Sequence, residues 1–194
     1  MEFFRKSRFD CQYMTHQSPK KDLLKELSNF QRLLLVTDGT VTELLEQYLQ
    51  EPIQVHKLYE KIEDDFNQLP VSHAEYLSSD QVPILKREVL LQGTSSYKNW
   101  IYAESSIVLN HLSQNFRTDL LASLQPIGKL WAKYRTETYK ILLCAEKKPA
   151  KHLAVHFGIQ VQDQVISRTY GVYSNQKLTM LITEVFPKKF FADQ

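Results

Sequence analysis

Two ionisable side chains stand among apolar neighbours. Side chains of a strand alternate between its faces. In ILKREVLL, residues 84–91, Leu85, Arg87, Val89 and Leu91 therefore share one face, with Lys86 and Glu88 on the other. In KLTMLITEVF, residues 177–186, Glu184 is the one polar member of the row Leu178, Met180, Ile182, Glu184 and Phe186. Burying either ion unpaired costs several kcal/mol (about 3–5 when one partner of a pair is removed), so each needs compensation. One solution is a structural Arg87–Glu184 pair, or bulges that carry either group to water. The other is a closed pocket in which Arg87 holds a ligand carboxylate and Glu184 handles a hydroxyl or a proton.

Two helix starts offer a second kind of chemistry. First-turn N–H groups lack intrahelical partners and attract anions or acceptor oxygens. Val41 follows Thr40, and Thr40 with Glu43 fits a capping box. Behind it Val41, Leu44, Leu45, Tyr48 and Leu49 form one helical face. Ile127 follows Pro126, and Ile127, Leu130, Trp131 and Tyr134 form another stripe. Water or the Thr40 cap would satisfy these groups in an ordinary helix, so the feature gains weight only beside Arg87 and Glu184.

These residues need a frame. Residues 1–22 read as a polar, basic arm, and 23–194 as one domain. A short helix is expected from Asp22 to about Phe30, and strands at Ile53–Ile62, from Pro83 through ILKREVLL, and at Trp100–Leu109 around the turn Gly93–Ser96. Residues 64–80 read as a loop. Phe116–Leu124 reads as a helix, Thr138–Ala145 as a strand and Ala150–Phe157 as a helical turn. Val165–Tyr173 and Lys177–Phe186 form a hairpin around Ser174-Asn175-Gln176. Hairpins with helices inserted between them predict an α+β domain, an antiparallel sheet with helices on one face.

Several function classes drop out. A net charge of +2 gives no electrostatic reason for nucleic acid or a membrane surface, and no run of ~20 apolar residues spans a bilayer. The scattered five glycines make no phosphate-binding loop. Cys11 and Cys144 form neither a zinc cluster nor a disulfide framework, and reduced thiols in the cytoplasm are expected. His152 and His156 have helical metal-pair spacing, but no third ligand is evident, so no metal is expected.

The order LLLVTDGTVTELLEQY, PILKREVLLQG with WIYAESSIV, LQPIGKLW and KLTMLITEVFP resembles the chorismate pyruvate-lyase family, from Leu33 to Phe186. The chain looks closer to its cyanobacterial or plastoquinone-pathway members than to its proteobacterial ones. The resemblance implies an antiparallel sheet with helices on one side and an internal ligand cavity. It also implies removal of pyruvate from chorismate to give 4-hydroxybenzoate for quinone synthesis, by a cytoplasmic monomer without metal or organic cofactor. By the same resemblance Arg87 takes the ring carboxylate and Glu184 the hydroxyl. Val41 and Ile127 supply main-chain contacts. Three departures from the proteobacterial members stand out: the turn after residue 92 is longer, Glu104 stands where they carry arginine, and the segment Glu146–Val165 is longer. The alternative is a non-catalytic binding domain of the same fold for an aromatic carboxylate, since fold does not fix function.

Overall fold

The computed structural model describes residues 19, 21–63, 83–122 and 125–192. Among them, six strands make one antiparallel sheet: β1 Ile53–Glu63, β2 Ile84–Gly93, β3 Asn99–Val108, β4 Tyr139–Pro149, β5 Gln164–Ser174 and β6 Lys177–Pro187. Their order is β1-β2-β3-β6-β5-β4. The last strand in sequence thus lies in the middle, against β3, which brings Glu184 within two strands of Arg87. The β5–β6 hairpin turns on Asn175 and Gln176, both with positive φ (50° and 61°), the backbone that matches the twist of two tightly joined strands. The loop expected at 64–80 and nearly all of the N-terminal arm lie outside the described residues.

The first expected helix is two. Helix α1 covers Lys21–Lys25, and α2 covers Asn29–Val36. A capping box starts α2: Ser28 Oγ accepts from the Gln31 amide at 3.1 Å, while Gln31 Oε1 accepts from the Ser28 amide at 2.9 Å. The box expected at Thr40 is not formed. Helix α3, Val41–Leu49, begins there without a side-chain cap. Helix α4 covers Gln114–Ala122, α5 covers Ile127–Tyr134 with Pro126 at its N-cap, and α6 is the turn Ala154–Phe157.

The apolar rows of the sheet face two clusters. Leu34, Leu35 and Leu45 of α2 and α3 pack on Val55, Val89, Leu91 and Phe186. Phe116 and Leu120 of α4, with Leu130 and Trp131 of α5, pack on Leu85, Ile107, Tyr170, Met180 and Ile182. Helix α6 departs from the one-sided expectation. With Leu153 it covers Leu90, Tyr102 and Val185, whose side chains alternation sends to the opposite face. The β2–β3 turn is fastened by Glu51, which accepts from the amides of Ser95 and Ser96 and from Ser96 Oγ at 2.7–3.0 Å. Cys144 on β4 is held in a disulfide, against the expectation of reduced thiols; the chain's other cysteine, Cys11, lies outside the described residues.

Candidate functional site

Arg87 is 2 % exposed, and its Nε and Nη2 are buried with no hydrogen-bond partner among the described residues. Among the described residues its charged contact is Glu60 on β1, Nε to Oε2 at 3.3 Å, too poorly aligned for a hydrogen bond. Glu60 faces it because β1 carries a bulge between Lys57 and Tyr59, which shifts the register so that Glu60 lies opposite Arg87. Burial pulls the Arg87 pKa down, and the Glu60 charge only partly opposes this. A desolvated guanidinium edge with Nε and Nη2 unpartnered among the described residues is a place for a carboxylate.

Glu184 is 7 % exposed and satisfied by different groups. Arg168, its cross-strand neighbour on β5, donates from Nε to Glu184 Oε2 at 2.8 Å. The Tyr170 hydroxyl donates to Oε1 at 2.9 Å. The structural Arg87–Glu184 pair that alternation allowed is therefore not formed; each ion has its own partner. Arg168 also donates from Nη1 to the Thr37 carbonyl at 3.1 Å. Burial pulls the Arg168 pKa down, and Glu184 and Tyr170 more than restore it. Burial and the Glu184 charge together raise the Tyr170 pKa well above its ordinary value, so Tyr170 stays a hydrogen-bond donor.

Arg87, Glu184, Val41 and Ile127 all line one cavity. Ala103 and Ser105, small residues at the centre of β3, leave its volume free. Its roof is the start of α3 (Thr40, Val41, Thr42) and the start of α5 (Pro126, Ile127, Gly128). The two starts touch: a Cβ on Gly128 would fall 2.8 Å from Thr40 Cβ and Cγ2. Thr40 Oγ1 is buried there with no hydrogen-bond partner among the described residues, and neither helix has a side-chain cap. Spare amides, an orphan hydroxyl and a guanidinium thus converge on one volume.

Three participants had weaker sequence signals. Arg168 interrupts the row Ile166, Arg168, Tyr170 and Val172 as Arg87 interrupts its own, so the same rule finds it. Glu60 escapes that rule because the bulge changes its face. Lys140 lines the cavity from edge strand β4, where a lysine is an ordinary edge residue. Glu104 lies opposite Glu88 and Thr183, on the face away from the cavity. His152 and His156 lie in the helical turn at 151–157, outside the cavity, and the His156 ring stacks on Tyr102.

Solved structures share this fold. The effector domain of PhnF from Mycobacterium smegmatis superposes with a TM-score of 0.58, covering 80% of this chain and 92% of that one at 12% identity, a likeness of fold. Sequence narrows the class. Residues 35–192 match the family described as Chorismate pyruvate-lyase Rv2949c-like, and the chain belongs to that family. It is 28% identical to the chorismate pyruvate-lyase of Mycobacterium leprae, over 93% of this chain and 84% of that protein. Against the chorismate pyruvate-lyase of Mycobacterium tuberculosis H37Rv it is 27% identical, over 88% and 85%.

Proposed function

We propose that the chain converts chorismate to 4-hydroxybenzoate and pyruvate. In this reaction the ether C–O bond breaks, the hydrogen on the hydroxyl-bearing ring carbon leaves, and the ring becomes aromatic. That hydrogen leaves as a proton, and a proton adds to the methylene carbon of the departing enolpyruvyl group, giving pyruvate. Atoms and electrons balance without an oxidant, and aromatisation drives the step. The protein's task is to fix geometry and stabilise developing charge.

The observation that carries the reading is Arg87, a buried guanidinium whose Nε and Nη2 have no hydrogen-bond partner among the described residues, facing the same cavity as Glu184. Strand spacing separates their backbones by two strands, ~10 Å, and two residues along the strand, ~7 Å. That span fits a ring with a carboxylate at one end and a hydroxyl at the other. Arg87 takes the ring carboxylate. Glu184, fixed by Arg168 and Tyr170, accepts the ring hydroxyl. The amides at Val41 and Ile127 hold polar atoms of the ring substituents. Steady-state turnover of chorismate, with pyruvate and 4-hydroxybenzoate measured in parallel, tests it. Equal release of both is expected; tight 4-hydroxybenzoate binding without turnover would leave the binding-domain reading, which the fold shared with an effector domain favours.

The proposal extends to context. The product supplies the aromatic head of a quinone such as plastoquinone, and the chain works as a cytoplasmic monomer. The Cys144 disulfide bears on the compartment. Thiol labelling of protein from freshly lysed cells, with exchange blocked, should find Cys144 reduced if the cytoplasm is its home.

A further inference from the structure

Lys140 is a cavity-lining cation that forms no ion pair among the described residues. Its Nζ donates to the carbonyls of Asp38 at 2.8 Å and Gly39 at 2.5 Å. It also lies 5.5 Å from the ring centres of Trp131 and Tyr170. An ammonium has three N–H donors, so one is unused. Among the described residues no carboxylate comes within ion-pair distance of it. The charged groups that face it are Glu184 from β6, Arg168 from β5 and Asp38 from the loop between α2 and α3. Burial lowers its pKa, Glu184 and Asp38 oppose that, and Arg168 adds to it.

Its place matters. Arg87 stands on β2 and Lys140 on β4, with β3, β6 and β5 between them. Glu184 lies between the two cations in that order. The neighbouring cation, Arg168, is already committed to Glu184 and Thr37 and does not line the cavity. In chorismate the ether oxygen is on the ring carbon next to the hydroxyl-bearing one. A ligand with its ring carboxylate on Arg87 and its hydroxyl at Glu184 therefore carries its second carboxylate beside Glu184. We propose that Lys140 binds this enolpyruvyl carboxylate and makes the site selective for a dicarboxylate substrate over its monocarboxylate product. The inference rests on the chorismate reading. It adds a contact that disappears when pyruvate leaves, whereas the Arg87 and Glu184 contacts persist in the product.

The test compares wild type with Lys140→Met and Lys140→Arg, after thermal melts establish that both variants fold. Loss of a charge-assisted hydrogen bond should raise the chorismate KM of Lys140→Met on the order of 10–100-fold. Its dissociation constant for 4-hydroxybenzoate should stay within about twofold, the scatter expected for a contact not made. Lys140→Arg should recover most of the lost affinity. A neutral amine cannot pair with the carboxylate, so the wild-type KM should rise with pH as Lys140 deprotonates. Burial starts that rise below the ordinary lysine range, and Lys140→Met should lack it. An unchanged KM in Lys140→Met overturns the inference. So does an equal loss of chorismate and 4-hydroxybenzoate affinity, which would make Lys140 a latch on the Asp38–Gly39 loop. Wild type that neither turns over chorismate nor binds 4-hydroxybenzoate fails differently: it overturns the chorismate reading itself.

Discussion

Replacing Arg87 by methionine removes a charge that the empty fold scarcely uses. Its one ion contact is imperfect, and Glu60 keeps Lys57 at 2.9 Å through its other oxygen. A buried ion that its neighbours compensate only in part carries a desolvation penalty, which an apolar side chain removes. Arg87→Met should therefore melt at or above the wild-type temperature yet lose ~10²–10³-fold in 4-hydroxybenzoate affinity, the scale of a buried charge-paired contact. Calorimetric titration beside thermal melts checks this; a large drop in melting temperature with affinity intact would return Arg87 to a structural role. Glu184→Gln behaves oppositely. It strands the Arg168 guanidinium, which is 2 % exposed, at a cost of ~3–5 kcal/mol. If Glu184 also guides a proton, kcat falls ~10²–10⁴-fold. Measured well below the lowered melting temperature, a kcat near wild type would leave Glu184 only an orienting task. Alternation exposed both residues because an ion in an apolar row violates a local pattern. Their partners were hidden: Arg168 meets Glu184 through cross-strand register, and Glu60 meets Arg87 through a bulge.

At the scale of elements, the site depends on two helix starts pressed together. Gly128 at the start of α5 lies against Thr40, the residue before α3. Gly128→Ala would force a methyl into a branched side chain with no flexible end to give way. Overpacking of this kind costs ~1–3 kcal/mol. The strain falls on the cavity roof, so 4-hydroxybenzoate affinity should drop along with stability. Circular-dichroism melts and titration of the same variant check both; full affinity in a destabilised Gly128→Ala would show that the roof does not touch the ligand. Helices α3 and α5 were legible because stripes and start signals are local. Helix α2 was harder to see, since Ser28 and Gln31 carry its cap while Thr40 and Glu43 show the same spacing without forming one. Spacing permits a cap, but tertiary packing decides it: Thr40 is spent on the contact with Gly128. The sheet order was beyond a local reading, because placing β6 beside β3 is a non-local choice.

For the whole molecule, enclosure has a kinetic price. The cavity lies between the sheet and the helix starts, and most proposed contacts hold groups that survive in 4-hydroxybenzoate. Contacts equally strong before and after the chemical step do not speed it, and product release can then limit turnover. Progress curves should bend early, and added 4-hydroxybenzoate should deepen the curvature while added pyruvate does not; straight curves indifferent to added product would argue for an open site. The cavity is also the seam between the two apolar clusters. Val41, Val55 and Val89 line it from one, Tyr170, Trp131 and Ile182 from the other. An aromatic guest there is a keystone. Without it the two halves meet across a gap and can loosen separately; with it they share a continuous interior and must open together. Occupancy would then be readable far from the cavity, as slower amide exchange in α2 and α4 alike, two helices on opposite sides of the seam.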